Sequence, residues 1–561
     1  MTLLDYMIVV GFLVGMAVAG LWISRLIKDS DDFFVAGREL TPFILAATIT
    51  ATNLSMFHFV GMGGTAYKSG ISIIWQNWTG NMALVMSGIF VLPLMRRLRI
   101  RSIPEFLELR YARGLRTLVG GFWSFRLTIY LGLLLYIAST AAIVITGWDN
   151  YIAWLAIFSL VSILYSVVGG AWGVAIMDTV QFVVMLAGAL VIFPIAMHLG
   201  GGIPAIVSHL NQVSPQHTTL IPSSGSFSWL FVTSIMLLGF KFATIDQSIL
   251  QRAFGAKSPR VGAKGMVLSG LITTPMTFLW ILPGLAVAKV HPAPFLDATG
   301  HANADLAIPW LLRTQLPALC VGLLGFVLCG LVAAQVSTIT ADVNSVATLM
   351  TSDVYRTLRG DEPTQLQLLR VVRISSLLSG VLMLVVAWLF RYVGNAVTIN
   401  LIVVGILDMP LFVITVVYGL FSRRVNWQGA LAGFLLGGVG SGACYLLYPM
   451  DYAKQIAPIV SGLVALLVTP LVTMFTASPK HDADAIAALT RAHVDDGDAS
   501  AIDLIPSSRR GKAGALLVII GFVVFLVGII GGGAGLVAAS ALAVAGMLAV
   551  LVGGIVRVYS P

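Results

Sequence analysis

Apolar runs of membrane-crossing length recur along the chain, separated by short polar gaps. With a crossing taken as about 20 residues, the pattern predicts fifteen spans: 4–26, 41–66, 73–95, 117–146, 150–168, 173–198, 227–250, 262–288, 308–352, 368–390, 394–421, 428–448, 455–476, 513–530 and 534–556. The 308–352 run exceeds one crossing, which predicts an external helix or a tilt at its start. The polar gaps set the orientation. Arg96, Arg97, Arg99, Arg101, Arg110, Arg113 and Arg116 fall between spans 3 and 4, and Arg252, Lys257 and Arg260 between spans 7 and 8, with Lys264 at the start of span 8. Both loops are therefore expected in the cytoplasm, with the N-terminus outside and the C-terminus inside. The 199–226 loop has no Lys, Arg, Asp or Glu and falls outside, while Arg423, Arg424 and the 477–512 tail fall inside.

Composition sharpens this reading. The 561 residues are 58% hydrophobic and 10% charged, with a mean hydropathy of +0.95, so no soluble core could absorb the apolar surface. The net charge of +9 is spread over short clusters between apolar runs rather than gathered in one stripe, which suits membrane topology better than nucleic-acid binding. Cys320, Cys329 and Cys444 lie isolated in apolar runs and make neither a disulfide framework nor a metal site. No basic segment precedes the first apolar run, which is expected to stay as a helix rather than be cleaved. The last two spans form a Gly-rich hairpin around Gly531, Gly532 and Gly533, without an ionisable residue until Arg557. They read as an accessory pair, and the tail before them as a flexible linker.

A membrane carrier must offer oxygen ligands at mid-bilayer, and an unbroken helix cannot, because its carbonyls are bonded within the helix. A broken helix frees carbonyls for a cation and amides for a substrate. Span 2 has the composition for a break, with Thr48, Thr50, Thr52, Asn53 and Ser55 followed by Gly61, Gly63 and Gly64. The same residues also suit an intact helix whose hydroxyls bond back to their own backbone and whose glycines allow close packing. Span 9 stacks hydroxyls over Ala333-Ala334-Gln335-Val336-Ser337-Thr338-Ile339-Thr340-Ala341-Asp342, with Ser337 and Asn344, and Thr338 and Asp342, on shared faces. Two hydroxyls with a few carbonyls would hold a hard monovalent cation weakly enough to release it, and a polar face bonded to neighbouring helices is the plainer alternative. Lys241, Asp246, Asp342 and Asp408 are also expected inside the membrane, where pairing among them is the plainer reading.

Six separated stretches carry a resemblance. These are Asp32-Phe33-Phe34-Val35-Ala36-Gly37-Arg38, Ala51-Thr52-Asn53-Leu54-Ser55, Ile103-Pro104-Glu105-Phe106-Leu107-Glu108-Leu109-Arg110-Tyr111, Met177-Asp178-Thr179-Val180-Gln181, Gln251-Arg252, and Ser337-Thr338 running to Ser352-Asp353-Val354-Tyr355. In this order, over residues 5–476, they resemble the signatures of the sodium/solute symporter family, with its sodium/glucose, sodium/proline and sodium/sialic acid carriers. The resemblance implies an all-α LeuT-type core of two inverted five-helix repeats, at 41–198 and 227–421. Residues 1–40 would add a helix and loop, 422–476 two accessory helices, 477–512 a cytoplasmic linker and 513–561 the hairpin. It further implies Na⁺ as coupling ion, held by the carbonyls of Ala51, Leu54 and Ala334 and the hydroxyls of Ser337 and Thr338. A second sodium site, present in some members, would use Asp178, Ser337 and Thr340. The next position is Ala341 where that pattern wants a hydroxyl, so a gating or release role for Asp178 stands beside it.

For the solute, the positions that match those of sugar-carrying members are Asn53, His58, Asn77, Asp246 and Thr273, the last where those members have a lysine. The Asp246-Gln247…Gln251-Arg252 segment most resembles the sugar-type branch, which implies a sugar or polyol. A monocarboxylate, an amino acid or a quaternary amine are the alternatives. Trp75 and Trp78 could cap a sugar ring or anchor the bilayer interface. A membrane enzyme lacks support, because no His/Cys metal spacing, Ser-His-Asp arrangement or phosphate loop occurs. A solute sensor on the same fold would need an appended signalling domain. The expected partners are a small solute, Na⁺ and the lipid bilayer, with no nucleic acid and no obligatory protein. The expected location is a bacterial inner membrane.

Overall fold

The computed structural model describes residues 1–23, 38–98, 100, 102–296, 302–359, 363–393, 396–476 and 506–560. The Asp32–Gly37 motif, Arg99, Arg101 and most of the 477–512 linker lie outside the described residues. The first half comprises α1 (Leu3–Ile23), α2 (Pro42–Asn53), α3 (Phe57–Ser69), α4 (Trp75–Phe90), α5 (Arg113–Thr146) and α6 (Tyr151–Gly200). The second comprises α7 (Trp229–Ile245), α8 (Gln247–Phe254), α9 (Pro259–Met276), α10 (Phe278–Val290), α11 (Ala307–Leu319), α12 (Leu323–Thr348), α13 (Gln365–Val393) and α14 (Ala396–Phe412). Beyond them come α15 (Trp427–Leu447), α16 (Met450–Phe475), α17 (Arg509–Gly533) and α18 (Ala539–Tyr559).

Among the described residues, 12 helices are long and apolar enough to cross a membrane, and α2 with α3 makes a thirteenth crossing bent by 56°. Helix α4, prolonged by Leu92–Arg97, and the opening Tyr151–Ile163 part of α6 fill the two remaining predicted spans. Helical bonding is continuous over the 50 residues of α6, about 75 Å if straight. Yet Arg313 of α11 donates to the Val144 carbonyl just before α6, and Lys289 at the end of α10 donates to the Gly200 carbonyl at its far end. Because α10 packs on α11, both ends of α6 lie on one side, and the run doubles back as two crossings. The long 308–352 run also divides: α11 ends at Leu319, and Gly322, at φ +89°, starts α12 as a separate helix.

Helix α12 sits at the centre. Residues 327–349 are all buried, so its polar side chains must find partners on neighbouring helices. Helix α6 crosses it at Gly188 and Gly330, where a Cβ on Gly330 would meet the Val184 carbonyl at 3.1 Å. At its N-terminus, Asp5 of α1 accepts from the Gly325 amide at 2.8 Å, so a buried acid is satisfied by a helix start. The C-terminal hairpin closes on Gly514, Gly521 and Gly528, spaced by seven along α17; a Cβ on Gly528 would lie 2.4 Å from the Ala543 nitrogen. It docks on the core through Phe525 against Trp75 of α4 and Phe522 against Phe240 of α7.

Among the described residues, two spans are interrupted by a residue in extended conformation. In span 2 the chain leaves α2 at Leu54 (φ −102°, ψ 118°) and re-enters a helix at Phe57 through a π-turn. The other interruption is at Asp246 (φ −64°, ψ 123°), between α7 and α8. Span 9 runs as unbroken α-helix through its hydroxyl-rich stretch. Each half of the core thus opens with a broken helix.

Candidate functional site: a helix break facing a hydroxyl ladder

The span 2 break is held open by named partners. The Met56 amide donates to Gln335 Oε1 at 3.2 Å, and Gln335 Nε2 donates to the Leu134 carbonyl at 2.8 Å. The Ser55 amide donates to His58 Nδ1 at 3.1 Å. His58 Nδ1 is therefore unprotonated, and the ring presents its Nε2–H as a donor. The freed carbonyls turn to α12. Thr338 Oγ1 lies 3.1 Å from the Thr52 oxygen, 3.2 Å from that of Leu54 and 3.2 Å from that of Ala334. One hydroxyl proton cannot serve three carbonyls, so the cluster has surplus lone pairs, and an all-oxygen donor set suits a small hard cation.

Three of the five positions named for the ion, Leu54, Ala334 and Thr338, are thus brought together. In Thr338's contacts the Thr52 carbonyl stands where that of Ala51 was expected. Ser337 turns the other way, donating to Asp178 Oδ1 at 2.6 Å. Asp178 Oδ2 accepts from Thr48 at 2.5 Å and from Arg252 at 3.3 Å, and Arg252 Nε also donates to Thr48. Asp178 therefore ties α2, α6, α8 and α12 together directly beside the carbonyl cluster. Thr340 donates to its own helix, within 2.9 Å of the Val336 and Ser337 carbonyls.

A cavity of about 220 Å³ adjoins this cluster, and Thr52 and Thr338 line both. Of the positions named for the solute, Asn53, His58, Asn77 and Asp246 line it. Thr273 does not: its hydroxyl lies 2.8 Å from Asn81 Oδ1 and 2.7 Å from the Ser269 carbonyl, in the buried seam between α9 and α4. Trp75 and Trp78 are also outside the lining; their indole nitrogens donate to the carbonyls of Leu220 and Thr274. Arg126, Lys241 and Asp342 also line the cavity. Lys241 Nζ is 3.0 Å from Asp246 and 2.5 Å from Asp408, and Arg126 is 3.7 and 3.1 Å from the same two acids. Sequence reasoning anticipated pairing for Lys241 and missed Arg126. A single arginine in a long apolar run gave no hint of partners 120 and 282 residues away.

At one end of the bundle, two further stretches of the resemblance meet. Ser102 caps the helix Ile103–Arg110 and donates to Asp353 Oδ1 at 2.8 Å, and Arg116 bridges Asp353 at 2.7 Å and Glu108 at 2.5 Å. Arg110 donates to the carbonyls of Ser422 and Val425.

The sequence profile of the sodium:solute symporter family matches residues 33–437. The chain belongs to this family. A sodium/glucose cotransporter of Vibrio parahaemolyticus is 29% identical over 465 residues, covering 77% of this chain and 83% of that relative. The sodium/sialic acid symporter NanT of Aliivibrio fischeri is 26% identical over 445 residues, with coverages of 77% and 85%. A solved substrate-bound, outward-open state of a Na⁺-coupled sialic acid symporter superposes with a TM-score of 0.74 at 19% identity, covering 86% of this chain and 99% of that one. The fold is therefore the LeuT-type one, with five-plus-five inverted repeats behind an additional first helix. Family membership makes the protein a sodium-coupled solute symporter, with Na⁺ as cargo and coupling ion.

Proposed function

We propose that the protein drives uptake of a sugar or polyol across a bacterial inner membrane by alternating access. In this reading Na⁺ binds the carbonyls of Ala51, Leu54 and Ala334 with the hydroxyls of Ser337 and Thr338. The solute occupies the adjoining cavity against Asn53, His58, Asn77 and Asp246. The observation that carries the reading is the cluster of three carbonyls around one Thr338 hydroxyl, on the wall of the cavity. Ion binding draws the span 2 break onto α12, and the same break carries Asn53 and His58, so filling one site organises the other. Coupling requires only that both cargoes favour one state. The relation to sodium/glucose cotransporters supports the choice of sugar.

With the N-terminus outside, the Arg116–Asp353–Glu108 cluster lies on the cytoplasmic face and closes it in the outward-facing state. Asp178, bound to Ser337, is then placed to receive Na⁺ on its way to the cytoplasm. The energetics suffice. One Na⁺ descending ~100 mV releases ~2.3 kcal/mol, and a tenfold gradient adds ~1.4 kcal/mol, enough for several-hundredfold accumulation. The test is uptake of labelled sugars and polyols into proteoliposomes with and without an inward Na⁺ gradient, with competition by carboxylates, amino acids and amines. Saturable, sodium-dependent uptake of a sugar or polyol supports the reading; sodium-driven uptake of another class alone rejects the solute assignment.

A further inference from the structure

The cavity wall contains an acid for which the assigned roles give no account. Asp342 is one turn beyond Thr338 on α12, about 6 Å along the axis, is 2% exposed, and lines the cavity. Its Oδ2 has no hydrogen-bond partner among the described residues. Arg126 and Arg252 act on it electrostatically, but neither forms an ion pair with it among the described residues. Lys241 is held between Asp246 and Asp408, and Arg126 faces the same two acids. Ser248, the nearest hydroxyl from α8, gives its proton to Asp246 at 2.7 Å. Arg252 is engaged by Asp178, Thr48 and the Ser248 carbonyl. His58 is neutral in the tautomer that its Ser55 bond requires.

Around the cavity Lys241 and Arg126 are thus taken up by Asp246 and Asp408, which leaves the Asp342 carboxyl without a cation of its own. A buried carboxylate oxygen without a donor is costly unless a ligand supplies one. A solute carboxylate would meet the reverse situation: both wall cations are already shared between aspartates, and Asp342 would repel it.

We propose that Asp342 is a specificity-determining residue that receives a protonated amino group of the solute, so the cavity favours amine-bearing over neutral solutes and rejects carboxylates. The inference rests on the solute site argued above and deepens it: within the sugar reading, the preferred cargo is an amino-substituted sugar or polyol. The position beside the ion cluster is consistent with this, since an acid one turn from Thr338 lets two cations bind close together.

The test uses purified full-length protein in detergent with saturating Na⁺ and reads binding by ligand-induced thermal shift. The probes are matched triplets, one of pyranoses (neutral, amino and uronic acid forms) and one of small non-sugar solutes in the same three forms. The expected order is amine, then neutral, then carboxylate, with the amine about tenfold tighter than the neutral form, as for one charge-assisted hydrogen bond. Asp342→Asn, nearly the same shape, should abolish that advantage, bringing the amine form to the level of its neutral partner in the same variant; Asp342→Ser should do the same. A carboxylate form binding as tightly as its neutral partner would overturn the proposal, whichever scaffold carries it. So would an equal weakening of all three forms by Asp342→Asn, which would assign the residue to folding or to the ion. The charge order appearing only among non-sugars would sustain the proposal and refute the sugar reading.

Discussion

Replacing Gln335 by leucine should damage sodium binding without touching any proposed sodium ligand. Gln335 is fully buried and makes two bonds, accepting from the Met56 amide at 3.2 Å and donating to the Leu134 carbonyl at 2.8 Å. Leucine fills a similar volume but strands a buried donor and a buried acceptor, each at about 1–3 kcal/mol. The donor belongs to the break, so its loss favours conformations in which the segment after Leu54 moves away from α12. If about 2 kcal/mol of the penalty falls on the ion-binding arrangement, the half-saturating Na⁺ concentration should rise about thirtyfold. The assay is the Na⁺ dependence of solute uptake in proteoliposomes, normalised to folded protein, alongside thermal stability in detergent. A lowered melting temperature with an unchanged half-saturating Na⁺ concentration would refute the reasoning, because the glutamine would then support the fold and not the break.

Other expectations follow from the same geometry. Asp178→Asn removes the charge that gathers Thr48, Ser337 and Arg252 and leaves Arg252 without its carboxylate partner; we expect transport to fall more than tenfold with protein abundance largely kept, measured by uptake against surface quantity. Asp5→Ala uncaps α12 at Gly325 and should lower stability by about 1–2 kcal/mol, seen in thermal unfolding, with the Na⁺ dependence of uptake unaltered. Gly528→Val drives a side chain into the Ala543 backbone and should destabilise the hairpin packing by about 1–3 kcal/mol, read as a lower unfolding temperature.

Much of this architecture was legible because lipid imposes length. Apolar runs of fixed size gave the spans, including the two crossings within α6 that helical bonding alone would merge. The span 2 break was legible because threonines, an asparagine and glycines crowd one stretch. The break at Asp246 was not, since Phe242-Ala243-Thr244-Ile245 offers no glycine or proline. What interrupts the helix there is the aspartate itself, accepting from the Ser248 amide and hydroxyl while its other oxygen meets Lys241. Arg126 and Gln335 escaped notice for a related reason: their roles exist only through partners distant in sequence. Thr273 was placed by position in a sequence pattern, and its helix face, turned toward Asn81, is settled only by packing. The five positions proposed for the ion come from resemblance alone, whereas the turn of Ser337 toward Asp178 needed coordinates.

The most direct test of the account is sodium-gradient-driven uptake by the wild-type protein compared with Ser337→Ala and Thr338→Ala in the same vesicles. The account predicts concentrative uptake that collapses when the Na⁺ gradient is abolished, and half-saturating Na⁺ concentrations at least about tenfold higher in both variants at near-normal abundance. Uptake indifferent to Na⁺, or variants that lose protein and transport in equal measure, would contradict it.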